Sequence, residues 1–288
     1  MSDRKTANMR IIKLLFIILL FTLQVYSQDQ PIGGRSAGMA GASVTLTDFW
    51  SVHNNQAALA GFDHIATGFY YENRFAVNEL SLKSGAFVLP VKSGAFGVNL
   101  SYFGYSQYNE QKVGLAYGRK LGKYFSAGLQ LDYQSIHIGE DYGSTGFVTF
   151  ELGLHSQVTE NFAIGAHVYN PFGANLSNEP SDKIPSIFKL GVGYTFSEDL
   201  LLTFETEKNT NFKPLFRGGL EYKIIEMVSV RMGYSTIPST IGSEKFNISS
   251  LYSFGFGLNI KDLKINFASS IHQTLGWSPQ ISISYNFN

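Results

Sequence analysis

From residue 64 to the end of the chain, apolar and polar positions alternate in short runs. Phe125, Ala127, Leu129, Leu131 and Tyr133 share one face of such a run, with Ser126, Gly128, Gln130 and Asp132 on the other. Val148, Phe150, Leu152 and Leu154 oppose Thr149, Glu151 and Gly153 in the same way. The pattern returns at Phe188, Leu190, Val192, Tyr194 and Phe196, at Tyr252, Phe254, Phe256, Leu258 and Ile260, and at Ile281, Ile283, Tyr285 and Phe287. A period of two marks a strand with one apolar and one polar face. Carried through the chain, it predicts fourteen strands: 64–73, 79–90, 95–107, 111–120, 125–138, 146–157, 162–171, 186–196, 200–208, 215–225, 228–237, 250–260, 263–272 and 279–288. Each is near the ~10 residues that cross a bilayer at a tilt, and an even number suits an antiparallel bacterial barrel. Closure leaves no unpaired edge in lipid.

The connections carry an independent signal. Those after the even strands are short: 91–94, 121–124, 158–161, 197–199, 226–227 and 261–262. Those after the odd strands are generally longer, the longest being 171–185 and 237–249, rich in Pro, Asn, Ser, Thr and Gly. Membrane barrels have short periplasmic turns and longer outer loops. A secreted two-sheet sandwich also alternates along each strand, but its turn lengths have no reason to alternate in phase with the strand count. The expected fold is therefore all-β: a closed 14-stranded antiparallel transmembrane β-barrel, residues 63–288, with its N-terminal segment and its C-terminus on the periplasmic side.

The start of the chain places that barrel. Arg4, Lys5, Arg10 and Lys13, an apolar run over 14–23, and Val25, Tyr26 and Ser27 read as a secretory signal peptide, residues 1–27. The run is too short for a membrane-spanning helix, which needs ~20 apolar residues. Export of a chain with 16 Tyr, 24 Phe and no Cys points to the outer membrane of a Gram-negative bacterium, without disulfides. Charged residues make up 15% of the chain, against about 25% in soluble domains. The lipid bilayer is thus its first partner. The 22 basic and 22 acidic residues cancel, which gives no reason to expect nucleic acid as a partner.

Residues 28–62 fit no strand. They include GRSAGMAGASVTLTDFWSVHNNQAALAGF, with too many glycines for a good helix and no sustained alternation. Fourteen strands enclose more space than wall side chains can fill. The polar strand faces carry both signs, Lys112, Arg217, Lys223, Arg231 and Lys264 against Asp132, Glu151, Glu205 and Glu221, which suits an inserted plug. Phe49, Trp50, Leu59 and Phe62 in the segment argue against a solvated arm. It is read as an N-terminal hatch inside the lumen. Its glycines are expected where backbone runs close to the wall, Gly41 first among them.

Gly38-Met39-Ala40-Gly41-Ala42, then Thr47-Asp48, then Asn55-Gln56-Ala57-Ala58-Leu59 resemble the hatch signature of the long-chain fatty acid transporter barrels, usually G-[LM]-G-G-A, A-D-D and N-P-A-G-L. They are equally similar to the related PorV/PorQ family associated with type IX secretion. The resemblance lies in the hatch, and elsewhere only in strand number and layout. Ala40 and Ala58 stand where glycine is usual, and Gln56 where proline is; a turn without its proline is less rigid. The resemblance implies a hatch-gated channel or transporter for a hydrophobic small-molecule ligand such as a long-chain fatty acid. The alternative it implies is a non-transport component with secretion-system proteins as partners. It marks Gly38, Met39, Gly41, Asp48, Asn55, Ala57 and Leu59 as hatch or gating residues. Phe49, Trp50 and Phe62, with Phe172 and Trp277 near an outer mouth beside Leu275, are candidate ligand contacts, although loop aromatics also serve in the interface belt. Phe103-Gly104-Tyr105 in the third strand is either a kink that opens the wall or a plain bulge.

Nothing in the chain reads as an enzyme. His155 and Ser156 are adjacent in a strand and so point to opposite faces, and no G-x-S-x-G or H-E-x-x-H occurs. No cysteine and no paired histidine spacing marks a metal site, and no cofactor is expected.

Overall fold

The computed structural model describes residues 31–139, 143–174, 183–237 and 249–287. The expected signal peptide lies outside them, as do most of the two longest outer loops. Fourteen strands run in order: β1 (Ile65–Asn73), β2 (Ser81–Val91), β3 (Gly94–Tyr105), β4 (Tyr108–Lys120), β5 (Phe125–Ile138), β6 (Gly143–Gln157) and β7 (Phe162–Tyr169), followed by β8 (Ile187–Ser197), β9 (Leu200–Asn209), β10 (Leu215–Ile225), β11 (Val228–Ile237), β12 (Ser249–Ile260), β13 (Leu263–His272) and β14 (Gly276–Phe287). Each pairs antiparallel with its neighbour in sequence, and β1 closes on β14 with Phe69 opposite Ile283. The sheet is a closed barrel. A two-sheet sandwich is excluded.

The alternation sorts residues to two surfaces. Outside stand Phe69, Leu115, Tyr133, Phe150, Leu190, Phe204, Met232, Phe254 and Ile283, all exposed. Inside, on the same strands, Gln130, Asp132, Thr149, Glu151, Lys189, Glu205, Arg217 and Arg231 are buried. A continuous apolar exterior of this extent is far larger than a water-facing surface carries, and suits lipid. Aromatic residues mark both ends of the wall: Tyr124, Phe196, Tyr222 and Phe287 at one, Tyr105, Tyr234, Tyr252 and Trp277 at the other.

The turns after the even strands are tight, as in Lys92–Ser93 between Val91 and Gly94 and Lys261–Asp262 between β12 and β13. The other end is less uniform than the sequence suggests. β3 and β4 meet through Ser106 and Gln107 alone, since Tyr105 pairs with Tyr108. β14 begins at Gly276, ahead of the expected 279, so Trp277 and Pro279 lie within it. Proline is tolerated there because β14 pairs with β1 only as far as Gln280 opposite Glu72, and Pro279 opposes Ser269 of β13 on its other side.

Residues ahead of β1 form three short turns of helix: α1 (Gly34–Gly38), α2 (Ser51–Asn54) and a 3₁₀ turn (Gln56–Gly61). They pack on inward-facing residues of the barrel: Met39 on Gly219 and Gly233, Val44 on Gly165 and Gly191, Val52 on Gly97, and Gln56 on Gly118 and Gly128. A methyl at Gly128 would lie 2.3 Å from the Gln56 carbonyl carbon, and one at Gly233 2.4 Å from that of Met39. These strand glycines are the footprint of the segment on the wall.

Candidate functional site

The lumen segment is held by charge on one side and by apolar packing on the other. In α1, Arg35 donates from Nε and Nη2 to the two oxygens of Glu221 on β10, at 2.9 and 2.6 Å. Such two-pronged charged bonds are among the strongest available to a protein. Burial opposes the Arg35 charge, but Glu221 and then Asp48 outweigh it and hold the guanidinium above its ordinary pKa. Next along the chain, the backbone N–H groups of Ser43 and Val44 both donate to Glu205 Oε2 at 2.8 Å. Arg217 bonds the other Glu205 oxygen at 2.7 Å and Glu207 at 2.8 Å.

The third anchor is the position where the hatch signature departs from its usual proline. Gln56 is fully buried, and its Nε2 donates to Glu151 Oε2 at 2.6 Å. Glu151 also holds Lys112, His167 at 3.0 Å and Gln130 at 3.1 Å, and Asp132 lies 3.7 Å from Lys112. Where the signature has a proline, this turn thus carries a side-chain tie to the wall. Asn55 ties the same turn to β6, donating to Leu154 O at 3.0 Å, and to the segment itself, donating to Val44 O at 2.7 Å; its Oδ1 caps the Ala57 N–H at 3.2 Å.

Toward β1–β4 the contact is apolar. Phe49, Trp50, Val52 and Leu59 pack with Ala66, Tyr70, Leu82, Ala86, Val88, Ala95, Phe103 and Ala116, and Phe62 closes the edge. Two polar ties cross this sector: His53 Nε2 with Ser84 Oγ at 2.9 Å, and Asn99 Nδ2 donating to Val52 O at 3.2 Å. Burial, and then the Lys112 cation, depress the His53 pKa to about 3, so this imidazole is neutral at any ordinary pH. On the side of the segment toward the short turns, the end expected to face the periplasm, lies a cavity of about 340 Å³, lined by Arg35, Asp48, Phe49, Trp50 and Glu221 and by Glu198 and Asp199 of the β8–β9 turn.

No known family matches the chain, and no curated protein matches it. Solved structures do match. The toluene transporter TbuX of Ralstonia pickettii superposes with a TM-score of 0.68 at 14% identity, over 91% of this chain and 100% of that one. The monoaromatic hydrocarbon channel CymD gives 0.67 at 12%, over 91% and 99%. A FadL homologue from Pseudomonas aeruginosa gives 0.65 at 13%, over 89% and 98%. The fold is that of these barrels.

The residues singled out in the sequence take distinct places. Gly38 faces Gly255, whose Cα lies 3.0 Å from where its own Cβ would be, and Met39 is wholly buried. Gly41 answers to a different need from the one expected. Its φ is +83°, a conformation other residues adopt at a cost, and its nearest wall atom is Nε of the flexible Arg217 side chain, 3.2 Å from a Cβ placed there. The close backbone approaches are at Gly34, where a Cβ would lie 2.7 Å from the Asn266 carbonyl oxygen, and at Gly38. Asp48 accepts the Trp50 N–H at 2.9 Å and lies 3.5 Å from Arg35. Ala57 and Leu59 are buried without residual exposure. Phe172 and Trp277 are corrected: Phe172 stands edge-on to the outward Phe150 at 6.3 Å, and Trp277 shares the outward face of β14 with Ile283 and Tyr285. Both belong to the wall's exterior and not to the mouth. Neither the kink nor the bulge shows as a register shift in the third strand: β3 pairs with β2 as far as Phe103 and with β4 as far as Tyr105 in regular register. Gly104 takes its φ of +99° beside the tight β3–β4 turn.

Arg35 and His53 were not singled out, and nothing in their sequence context marks them. His167, Lys189 and Glu207 were legible in principle, because strand parity puts them on the faces that carry Asp132 and Glu151.

Proposed function

We propose that the protein is an outer-membrane channel for hydrophobic small molecules, closed at rest by its N-terminal hatch, and that it performs no catalysis. The observation that carries this reading is the two-sided lumen. The hatch is tied by bonds to the buried carboxylates Glu151 on β6, Glu205 on β9 and Glu221 on β10, and lies against an apolar sector on β1–β4. A plug meant only to seal has no need of such a sector, whereas a plug that yields to apolar solutes has a use for it. Its structural neighbours, a toluene transporter and a monoaromatic hydrocarbon channel, support small apolar solutes, and the hatch resemblance supports long-chain fatty acids.

The second reading, a component of a type IX secretion apparatus of the PorV/PorQ kind, rests on the hatch resemblance alone. It would engage its partners through the outer loops, and the described residues offer no apolar outer platform in its favour. Uptake of radiolabelled toluene and oleate by cells with and without the gene separates the two. The channel reading expects slower uptake of at least one of them in the deletion strain, with secretion unchanged. Unchanged uptake of both, with secreted proteins retained, would favour the secretion role.

A further inference from the structure

Within the hatch, residues 46–53 form a compact loop with tied ends. At one end Val44 and Ser43 hang on Glu205; at the other Asn55 binds Val44 O at 2.7 Å, and Asn54 exchanges two bonds with Ile32, at 2.9 and 2.8 Å. Loops of this length whose ends meet are compact units and frequently functional. The body of the loop carries Phe49, Trp50 and Val52, all in the apolar sector against β1–β4. Among the described residues, only His53 to Ser84 and Asn99 to Val52 O tie that body to the wall by hydrogen bonds. The anchors to Glu151, Glu205 and Glu221 lie outside the loop, and its one ion pair, Asp48 with Arg35 at 3.5 Å, runs to α1 and not to the wall.

Trp50 supplies a second, independent observation. It is 3% exposed, its ring stands edge-on to Phe49 at 5.0 Å and Tyr70 at 6.0 Å, and its indole N–H has no acceptor among the described residues. A buried unpaired donor is unfavourable by about 1–3 kcal/mol. It persists beside the periplasmic cavity, which Asp48, Phe49 and Trp50 themselves line. The loop is thus the partition between the apolar sector and that cavity. β3 keeps its pairing with β2 as far as Phe103 and with β4 as far as Tyr105, with no register shift in either.

Resting on the channel reading above, we propose that residues 46–53 are the moving part of the hatch, a flap that swings from β1–β4 while the charged anchors stay in place. The solute it admits is uncharged, apolar and about one ring across, and reaches the periplasmic cavity along this sector. The Trp50 N–H meets it on the way, so a solute with one oxygen acceptor passes more readily than a plain hydrocarbon of the same size.

The absence of cysteine from the chain allows a direct test with paired cysteines. A Cβ at Gly97 lies 2.5 Å from Val52 Cγ2, and one at Gly191 lies 2.6 Å from Val44 Cγ1, so both pairs are within reach of a disulfide. Uptake of toluene and p-cresol is measured in cells making V52C/G97C or V44C/G191C, before and after reduction. The flap lock should bring uptake down to that of cells lacking the protein, with recovery on reduction, and the anchor lock should leave uptake unchanged. Uptake that survives both locks, or fails with both, overturns the flap while leaving the channel reading intact; wild-type protein that takes up neither solute fails the channel reading itself. Trp50→Phe keeps a ring and removes the N–H. It should lower the p-cresol to toluene ratio by about fivefold, the worth of one hydrogen bond, and an unchanged ratio would remove the indole from the path.

Discussion

Deletion of residues 34–60 is expected to turn a nearly silent protein into an ion-conducting pore. The reason is in the lumen. With the segment gone, nothing fills the space within fourteen strands, and the faces it covered are polar: Lys112, Asp132, Glu151, Glu205, Arg217 and Glu221 would all meet water. The wall does not depend on the segment, because every strand is paired on both sides, including β1 with β14. Gly38→Trp should act in the same direction, since a Cβ there is already 3.0 Å from the Gly255 Cα and no flexible group can give way. In planar bilayers the wild type should be almost closed, the deletion should conduct steadily, and Gly38→Trp should fall between them. A deletion no more conductive than the wild type would mean that the segment does not plug the lumen.

The second large effect is expected at Glu151. One buried carboxylate accepts from Lys112, His167, Gln130 and the hatch residue Gln56. Glu151→Ala removes the anion at the centre of this group and destabilises the folded barrel and its hatch by about 3–5 kcal/mol, as loss of one partner of a buried ion pair does. Glu151→Gln keeps the shape and an acceptor oxygen and should lose less. Glu226 makes a pair of another kind: it bonds Lys223 at 3.1 Å but is 89% exposed, so Glu226→Ala should be close to neutral. The temperature at which the folded, fast-migrating form in detergent converts to the slow unfolded form reports the order. If Glu151→Ala and Glu226→Ala proved equal, the network would not be the anchor described here.

The barrel was open to a sequence reading because lipid outside and a polar lumen inside impose a period of two on every strand, and Leu129, Leu131 and Tyr133 opposite Gln130 and Asp132 display it plainly. Strand ends were less legible. Pro279 reads as a start, yet β14 continues back to Gly276, because only pairing on both sides forbids proline and β1 does not extend that far. The glycines on the lumen face were visible but their meaning was not: Gly128, Gly165 and Gly233 break the polar pattern because the hatch backbone lies on them. In the hatch, Met39, Asn55 and Leu59 stand out by motif. Arg35 does not, since its partner Glu221 is 186 residues away and no local pattern joins them. Gln56 was noticed only as a missing proline, although its bond to Glu151 is the more informative fact. For Trp277 and Phe172 residue type left mouth and interface belt both open, and strand parity places Trp277 on the outward face.

The measurement that bears most directly on a hatch-closed channel for apolar solutes is the simultaneous recording of solute passage and ion current. The purified protein would be placed in a bilayer with a lipopolysaccharide outer leaflet, which toluene crosses poorly unaided. Toluene should cross faster with the wild-type protein than without it while the ion current stays near baseline, because the hatch yields along an apolar sector and its charged anchors hold. Toluene crossing no faster than through the bare bilayer, or crossing only when the current rises to that of the hatch deletion, would contradict the account.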